Sequence, residues 1–297
     1  MAIPLIITMA IPLIINYYEV NLMGNSTMTE GQQLRELLDS IRSVYGYDFT
    51  EYSEASIKRR IRSFMNAHNI GSLSLLGQAI FRDDRLFEQF VQQVTVVVTE
   101  MFRDPSFYKS LREQVISRLA TYPFIKVWIA GAATGEEVYS IAICLKEQGL
   151  LERTIIYATD INQKALQTAR EGIYPMRNIQ GYTTNYIKAG GKSSFSDYYI
   201  ANYDSALLDR SLKKSIVFSV HNLTIDRSFN EFQLIVCRNV LIYFNQRLQS
   251  KVIGLFYESL CPLGFLALGS KESLLFADSR GSFTEVDRKE KIFMRTE

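Results

Sequence analysis

Four short stretches hold residues whose types and spacing could do chemistry. Lys126 to Tyr139 reads KVWIAGAATGEEVY, an apolar strand, a turn of glycine and small residues, then Glu136 and Glu137 opening a helix. Val127, Trp128 and Ile129 form the apolar run that a strand buried on both faces needs. Gly131, Ala132, Ala133, Thr134 and Gly135 let the backbone turn tightly and approach a ligand. GAATG is not a regular GxGxxG, so by itself it is either a cofactor cradle or an ordinary packing turn. Thr154 to Asp160 (TIIYATD) is a second buried strand, ending on an acid roughly 25 residues after the turn. A dinucleotide fold sets a carboxylate on ribose hydroxyls at close to this spacing. Asp160 is the candidate ribose ligand, and the competing role for Asp160 or Asn162 is to cap the helix Gln163 to Glu171; both hold if Asn162 caps while Asp160 binds. Arg238 and Asn239 follow a third apolar strand, Gln233 to Val236. A core arginine is rarely unpaired, so Arg238 either meets an acid of the fold or faces a bound anion. Arg103 precedes Asp104-Pro105, a strong helix start in which Asp104 caps and Pro105 takes the first position. Just outside that terminus, Arg103 is either a surface ion-pair partner or an anion ligand.

These residues need a scaffold, and the pattern of the chain supplies one. From about Gly31 to Val94 the periodicity is helical. Leu34, Leu37, Leu38, Ile41, Val44 and Tyr45 make one stripe that stops at Gly46. A second helix, Glu54 to about Ala67, has Ile57, Ile61 and Phe64 on one face and Lys58, Arg59 and Arg62 on the other, a basic stripe that is either a solvated face or a dock for an acidic partner. The helix from Ser106 to Leu119 leads to the first strand. Beyond Gly172 the periodicity fades from Tyr174 to Ser215, and five tyrosines there predict a small antiparallel insert attached to the sheet. Ile216 to Val220, Gln233 to Val236 and Phe265 to Gly269 are further strands, with a helix at Gln246 to Leu260, and Phe283 to Val286 with Lys291 to Arg295 form a closing hairpin. The fold class is α/β: an open, mostly parallel sheet with an antiparallel edge, beside a small all-α domain. The expected divisions are an apolar tail at 1–27, the helical domain at 28–95, a connecting helix within 96–125 and the sheet domain at 126–297, with the insert at about 176–215.

Bulk properties narrow the function. A formal charge of +2 over 297 residues gives no general reason to expect nucleic acid. Cys144, Cys237 and Cys261, odd in number and far apart, read as free thiols in a reducing compartment, the cytoplasm. None has metal-ligand spacing, and with only His68 and His221 a zinc site or histidine triad is not expected. MAIPLIIT followed by MAIPLIIN is a tandem octapeptide, too short to span a bilayer and without the basic start of a signal peptide, so no stable membrane insertion is expected.

Taken together the motifs resemble the CheR-type chemotaxis receptor glutamate methyltransferases, which use S-adenosylmethionine. The resemblance covers about Leu34 to Lys271. It is carried by VTEMFRDPSFY (Val98 to Tyr108), VWIAGAATGEEVYSIAI (Val127 to Ile143), ATDIN, HNL (His221 to Leu223) and CRNVLIYF (Cys237 to Phe244), in order and behind a helical domain with a basic second helix. It implies a Rossmann-like class I methyltransferase domain. It further implies that Thr99 and Arg103 line the pocket near the reactive end of the cofactor, that the acids Glu136 and Glu137, with Glu137 the leading candidate, contact its amino-acid part, and that Gly131 and Ala132 cradle it. Asp160 would hold the ribose, Asn222 and Leu223 the adenine side, and Arg238, Asn239 and Tyr243 the wall where cofactor and substrate meet. Arg103 and Tyr243 are the implied catalytic pair, Arg103 orienting the substrate carboxylate. Lys58, Arg59 and Arg62 become a dock for the helical cytoplasmic domain of a chemoreceptor, and S-adenosylhomocysteine is the product. One departure stands out: the family carries Asn where this chain has Val97. A cofactor-binding sensor without turnover, and a methyltransferase acting on a different protein or a small molecule, are the alternatives.

Overall fold

A computed structural model describes residues 28–95 and 97–296; the tandem octapeptide lies outside them. The chain forms two compact units, a helical one up to residue 95 that also includes Tyr243–Asn245, and a sheet unit of Val97–Ile242 with the chain from Gln246 on.

Among the described residues the helical unit has four helices: α1 (Glu30–Tyr45), α2 (Glu54–Ala67), α3 (Leu73–Arg82) and α4 (Asp84–Val94). Their ends follow local chemistry. Thr29 and Gln32 make a reciprocal capping box at α1, which closes on Gly46 in the left-handed region at φ 75°. Ser72 and Asp83 cap α3 and α4 through their side chains. The stripes named above face inward, and Phe49, Phe81, Phe87 and Phe90 join them in one core. Arg60, between the exposed basic residues of α2, is buried, donates from Nη1 to Val94 O at 2.6 Å and lies 4.3 Å above the Tyr243 ring.

The sheet unit is built on seven strands, β1 (Ile125–Ala130), β2 (Thr154–Asp160), β6 (Ile216–Val220), β7 (Phe232–Cys237), β8 (Leu260–Leu268), β9 (Phe283–Asp287) and β10 (Ile292–Arg295). Their order is β6-β2-β1-β7-β8-β10-β9. The first five run parallel and β10 and β9 antiparallel, so the mostly parallel sheet with an antiparallel edge is observed. The closing hairpin is present, but its second strand lies inside, against β8, and β9 is the edge. β1 is the middle one of the five parallel strands, with Val127 opposite both Ile156 and Leu234, which accounts for its unbroken apolar run.

The connecting helix α5 runs from Pro105–Ser110 through a π-helical stretch, Leu111–Ile116, to Ser117–Leu119. α6 (Glu136–Glu147) buries Val138, Ile141, Ala142 and Leu145 as their spacing predicts, and Tyr139, Ser140, Ile143 and Cys144 besides. α7 is Gln163–Glu171, capped by Asn162 Oδ1 on Ala165 N at 3.0 Å and closed by Gly172 at φ 60°.

After α7 comes the insert. β3 (Ile173–Pro175), β4 (Tyr199–Asn202) and β5 (Ser205–Leu208) form a separate antiparallel sheet with β5 in the middle. The expected small antiparallel insert is present. The insert has its own sheet, and a 13-residue helix, α8 (Met176–Lys188), stands between β3 and β4. Gly181, Thr183 and Thr184 dilute the helix signal, yet Ile179, Tyr182 and Tyr186 are buried at helical spacing. A short helix α9 (Arg210–Lys213) precedes β6, and α10 (Gln246–Ser259) joins β7 to β8. No helix among the described residues is long and apolar enough to cross a membrane.

Candidate functional site

The carboxyl ends of β2, β1 and β7 lie side by side, and with them Asp160, the glycine turn and Arg238. This is the edge of an open α/β sheet at which ligands bind. Gly131 N and Ala132 N both donate to Thr159 O, at 2.8 and 2.9 Å, folding the turn back on β2. Gly131 has φ 85°, and a Cβ there would stand 2.3 Å from Val240 Cγ2. The position therefore excludes a side chain on both conformational and steric grounds. Ala133 is also left-handed, at φ 47°. Its N–H donates to Asp160 Oδ2 at 2.8 Å, while Asn162 N donates to Oδ1 at 2.8 Å. Each Asp160 oxygen keeps a lone pair for a further donor. Burial pushes the Asp160 carboxyl above the ordinary range, against the pull of those amides. His221 N donates to Asp160 O at 3.3 Å, which brings Asn222 and Leu223 beside the end of β2. Asn222 Oδ1 accepts from Thr224 N and Oγ1, at 3.0 and 2.7 Å, leaving the Nδ2 donors uncommitted.

The two helix-opening acids have separate fates. Glu136 is buried, accepts from Thr134 Oγ1 at 2.6 Å and from Tyr182 OH at 3.3 Å, and its carboxyl is raised by burial. It joins α6 to the insert. Glu137 Oε1 instead accepts from Arg238 Nη1 at 2.8 Å. The alternative left open for Arg238 resolves in favour of acids of the fold. Its Nη2 reaches Asp104 Oδ2 at 2.8 Å, its Nη1 also reaches Arg103 O at 3.3 Å, and its guanidinium stacks 4.0 Å over the Phe107 ring. Desolvation alone would lower its pKa; Glu137, Tyr108 and Asp104 outweigh that, and Arg238 stays charged.

Asp104 differs from its expected role. It occupies the cap position of α5 but makes no side-chain cap hydrogen bond, and its backbone is left-handed at φ 57°. A charge-assisted bond to Arg238 outcompetes a neutral amide for the same carboxylate. Phe102, at φ 53°, donates its N–H to Ser140 Oγ at 2.9 Å, so the loop carrying Arg103 is fastened to α6. Arg103 itself is half-buried, donates from Nη1 to Val98 O at 3.2 Å, and pairs with no carboxylate among the described residues. Thr99 and Val97 are half-buried in the same loop. Asn239 stands at φ 60° just past β7.

The sheet unit thus brings Arg103, Gly131, Ala132, Glu137, Asp160 and Arg238 to one edge. Tyr243 is placed with the helical unit, its carbonyl accepting from Ser53 N at 2.8 Å and its ring beneath Arg60. The basic stripe of α2 is partly neutralised: Lys58 pairs with Glu54 at 2.5 Å and Arg62 with Glu30 at 2.8 Å, while Arg59 is exposed and has no acid partner among the described residues. The motif reading missed Phe107 and the carboxylate of Asp104 as members of the site. No local signal marks Asp104, which reads as a cap; its partner Arg238 lies 134 residues further along the chain.

The family model described as CheR methyltransferase, SAM binding domain, matches residues 97–292, and that described as CheR methyltransferase, all-alpha domain, matches residues 32–95. The chain belongs to the CheR methyltransferase family. A relative that carries methyltransferase in its name, Cher3 of Pseudomonas putida, is 48% identical over 264 residues that span 89% of this chain and 97% of the relative. A chemotaxis protein methyltransferase of Listeria innocua is 31% identical over 79% of this chain and 87% of its own length. Chemotaxis protein methyltransferase 1 of Vibrio cholerae is 30% identical over 82% and 90%. As a CheR methyltransferase the chain uses S-adenosylmethionine. The residues present fit that cofactor: Asp160 keeps acceptors for hydroxyls, Glu137 keeps its second oxygen for an ammonium group, and the glycine turn leaves room at the backbone for close approach.

Proposed function

We propose that this CheR methyltransferase acts in the cytoplasm on the helical cytoplasmic domain of a chemoreceptor, converting glutamate side-chain carboxylates to methyl esters and releasing S-adenosylhomocysteine. The observation that carries the reading is the division of labour between two arginines. Arg238 is spent on Glu137 and Asp104, while Arg103, whose carbonyl Arg238 also holds, keeps its guanidinium for an incoming anion. Relatives named chemotaxis protein methyltransferases support the receptor as substrate.

In this reading Asp160 accepts from the ribose hydroxyls, Glu137 holds the amino-acid end, and Asn222 Nδ2 donates to an adenine acceptor beside Leu223. Thr99 lines the reactive end, Gly131 and Ala132 the cradle, and Asn239 the wall. When bound, S-adenosylmethionine supplies an activated methyl and a neutral thioether leaving group. A glutamate is already ionised near neutral pH, so its carboxylate would accept the methyl group supplied by the bound cofactor without a general base, and no side chain of the site would have to move a proton. What the chain contributes is alignment, with Arg103 steering the oxygen in line; misplacing it by about 1 Å costs roughly 100-fold in rate.

Labelled-methyl transfer to receptor fragments, scored as base-labile ester, tests this. Arg103→Ala is expected to lose roughly 100-fold in kcat at saturating cofactor. A wild-type rate would remove Arg103 from the mechanism, and transfer that leaves no base-labile product would remove glutamate as the acceptor.

The docking face gives a separate expectation. Arg59→Glu should weaken receptor methylation at low ionic strength, and the difference should fade as salt screens it over a Debye length of about 8 Å at 0.15 M. Reversing Lys58 and Arg62 too deepens the loss, though part of it then comes from new repulsion with Glu54 and Glu30. A salt-independent defect, or none, returns α2 to a solvated face.

A further inference from the structure

Glu272 falls in no site motif, yet four backbone amides converge on its carboxylate. It is 4% exposed. Oε1 accepts from Val240 N at 2.8 Å and Leu241 N at 2.7 Å; Oε2 accepts from Asn239 N at 3.1 Å and Gly269 N at 2.6 Å. These amides belong to the segments that leave neighbouring parallel strands β7 and β8. Successive amides converging on one point form a nest for an anion. Here the fold fills that nest with its own carboxylate.

The consequence runs toward the cofactor site. Asn239 is left-handed at φ 60°, a conformation that a residue with a side chain holds only when its surroundings fix it. Val240, the next residue, places Cγ2 where a Cβ on Gly131 would be. The same segment begins at Arg238. One carboxylate therefore sets the height of the wall residue Asn239, the packing of Val240 against the glycine turn, and the exit angle of Arg238. Gly269 is bound into the device, since a Cβ there would lie 2.7 Å from Glu272 Oε2 and 2.9 Å from Asn239 N.

We propose that Glu272 is a positioning residue for the methyl-donor site, holding residues 239–241 in the shape that receives the cofactor. The assignment rests on the placing of that site at the ends of β1, β2 and β7. A plain loop staple would affect stability without a matching loss of cofactor affinity, and this separates the two roles.

The test uses the full chain and S-adenosylhomocysteine. Glu272→Gln keeps the shape but exchanges one oxygen for a donor, so two of the four amides lose their acceptor. Calorimetry is expected to show product affinity reduced at least tenfold, and hydrogen exchange to show faster amides at 239–241 with 232–237 still protected. Ile125→Val, buried at the amino end of β1 and so at the opposite end of that strand from the glycine turn, is the softened control and is expected to bind within threefold of wild type. Wild-type affinity in Glu272→Gln, or an equal loss in the control, overturns the assignment. Should Glu272→Gln not fold, Gly269→Ala decides, because its methyl displaces the same carboxylate: reduced affinity supports the assignment and unchanged affinity overturns it. Product binding by wild type with an unaffected variant defeats Glu272 alone, whereas no binding by wild type defeats the site reading and this assignment together.

Discussion

Methyl transfer should fall below detection when Arg238 is replaced by methionine, and the protein should lose about 3–5 kcal/mol of stability, the usual consequence of removing one partner from a buried ion pair. The two carboxylates do not share that loss equally. The Asp104 side chain is 43% exposed and water recovers most of its solvation, whereas Glu137 is 12% exposed and is left as a nearly buried, unpaired charge. Methionine keeps the volume over Phe107, so the loss reports the charge and not a cavity. Activity falls further than stability because Arg238 also holds the carbonyl of Arg103 and the acid facing the amino-acid end of the cofactor. Lysine at this position is expected to be intermediate, since one ammonium cannot span both carboxylates as the guanidinium fork does. Denaturant unfolding with product calorimetry on the same samples checks both halves. Stability and affinity like wild type would show the triad to be ornamental.

Asp160→Asn carries the second large effect. The variant keeps one acceptor oxygen and turns the other position into a donor, so it cannot take two hydroxyls while serving Ala133 N and Asn162 N. Losing charge-assisted bonds to a ribose at about 1.5–3 kcal/mol each corresponds to roughly 100-fold or more in S-adenosylhomocysteine affinity. The apo protein should respond in the opposite sense with pH. The folded pKa of Asp160 is raised by burial, so ionising it works against folding; that penalty is absent below the unfolded carboxyl pKa and complete above the folded one. Stability of the Asp160→Asn variant relative to wild type should therefore improve as pH rises from about 4 toward neutrality. A difference that is flat with pH, or undiminished product affinity, would contradict the role of this acid.

Much of this arrangement was legible in the residues alone, where local chemistry fixes it. α2 spans the residues its apolar spacing predicts, α7 begins at its Asn162 cap, and Gly46 and Gly172 close α1 and α7 in the left-handed region. The buried parallel strands announce themselves as apolar runs. Features set by distant contacts were not legible. That β10 lies between β8 and β9 depends on which faces remain open after the parallel strands assemble, and hairpin signals are blind to it. Asp104 reads as a cap until Arg238 comes within 2.8 Å across the fold. α8 hides because tyrosine and threonine favour strands, and its helical face is made of Ile179, Tyr182 and Tyr186. Glu272 gives no sequence signal: its meaning lies in four backbone amides, and almost any residue type could have supplied them.

The insert closes on itself where it leaves the main chain. Leu208 N donates to Gly172 O at 2.9 Å and β3 pairs with β5, so entry and exit are stitched together. A segment tied off in this way is a natural cassette, transplantable between relatives at Gly172 and Leu208 with little disturbance to the strand order around it. The graft must bring its own rivets. Tyr174 OH reaches Thr134 O at 2.7 Å, Tyr182 reaches Glu136, and Tyr186 and Tyr198 converge on Glu147, so a donor module without those phenols would leave recipient carboxylates stranded.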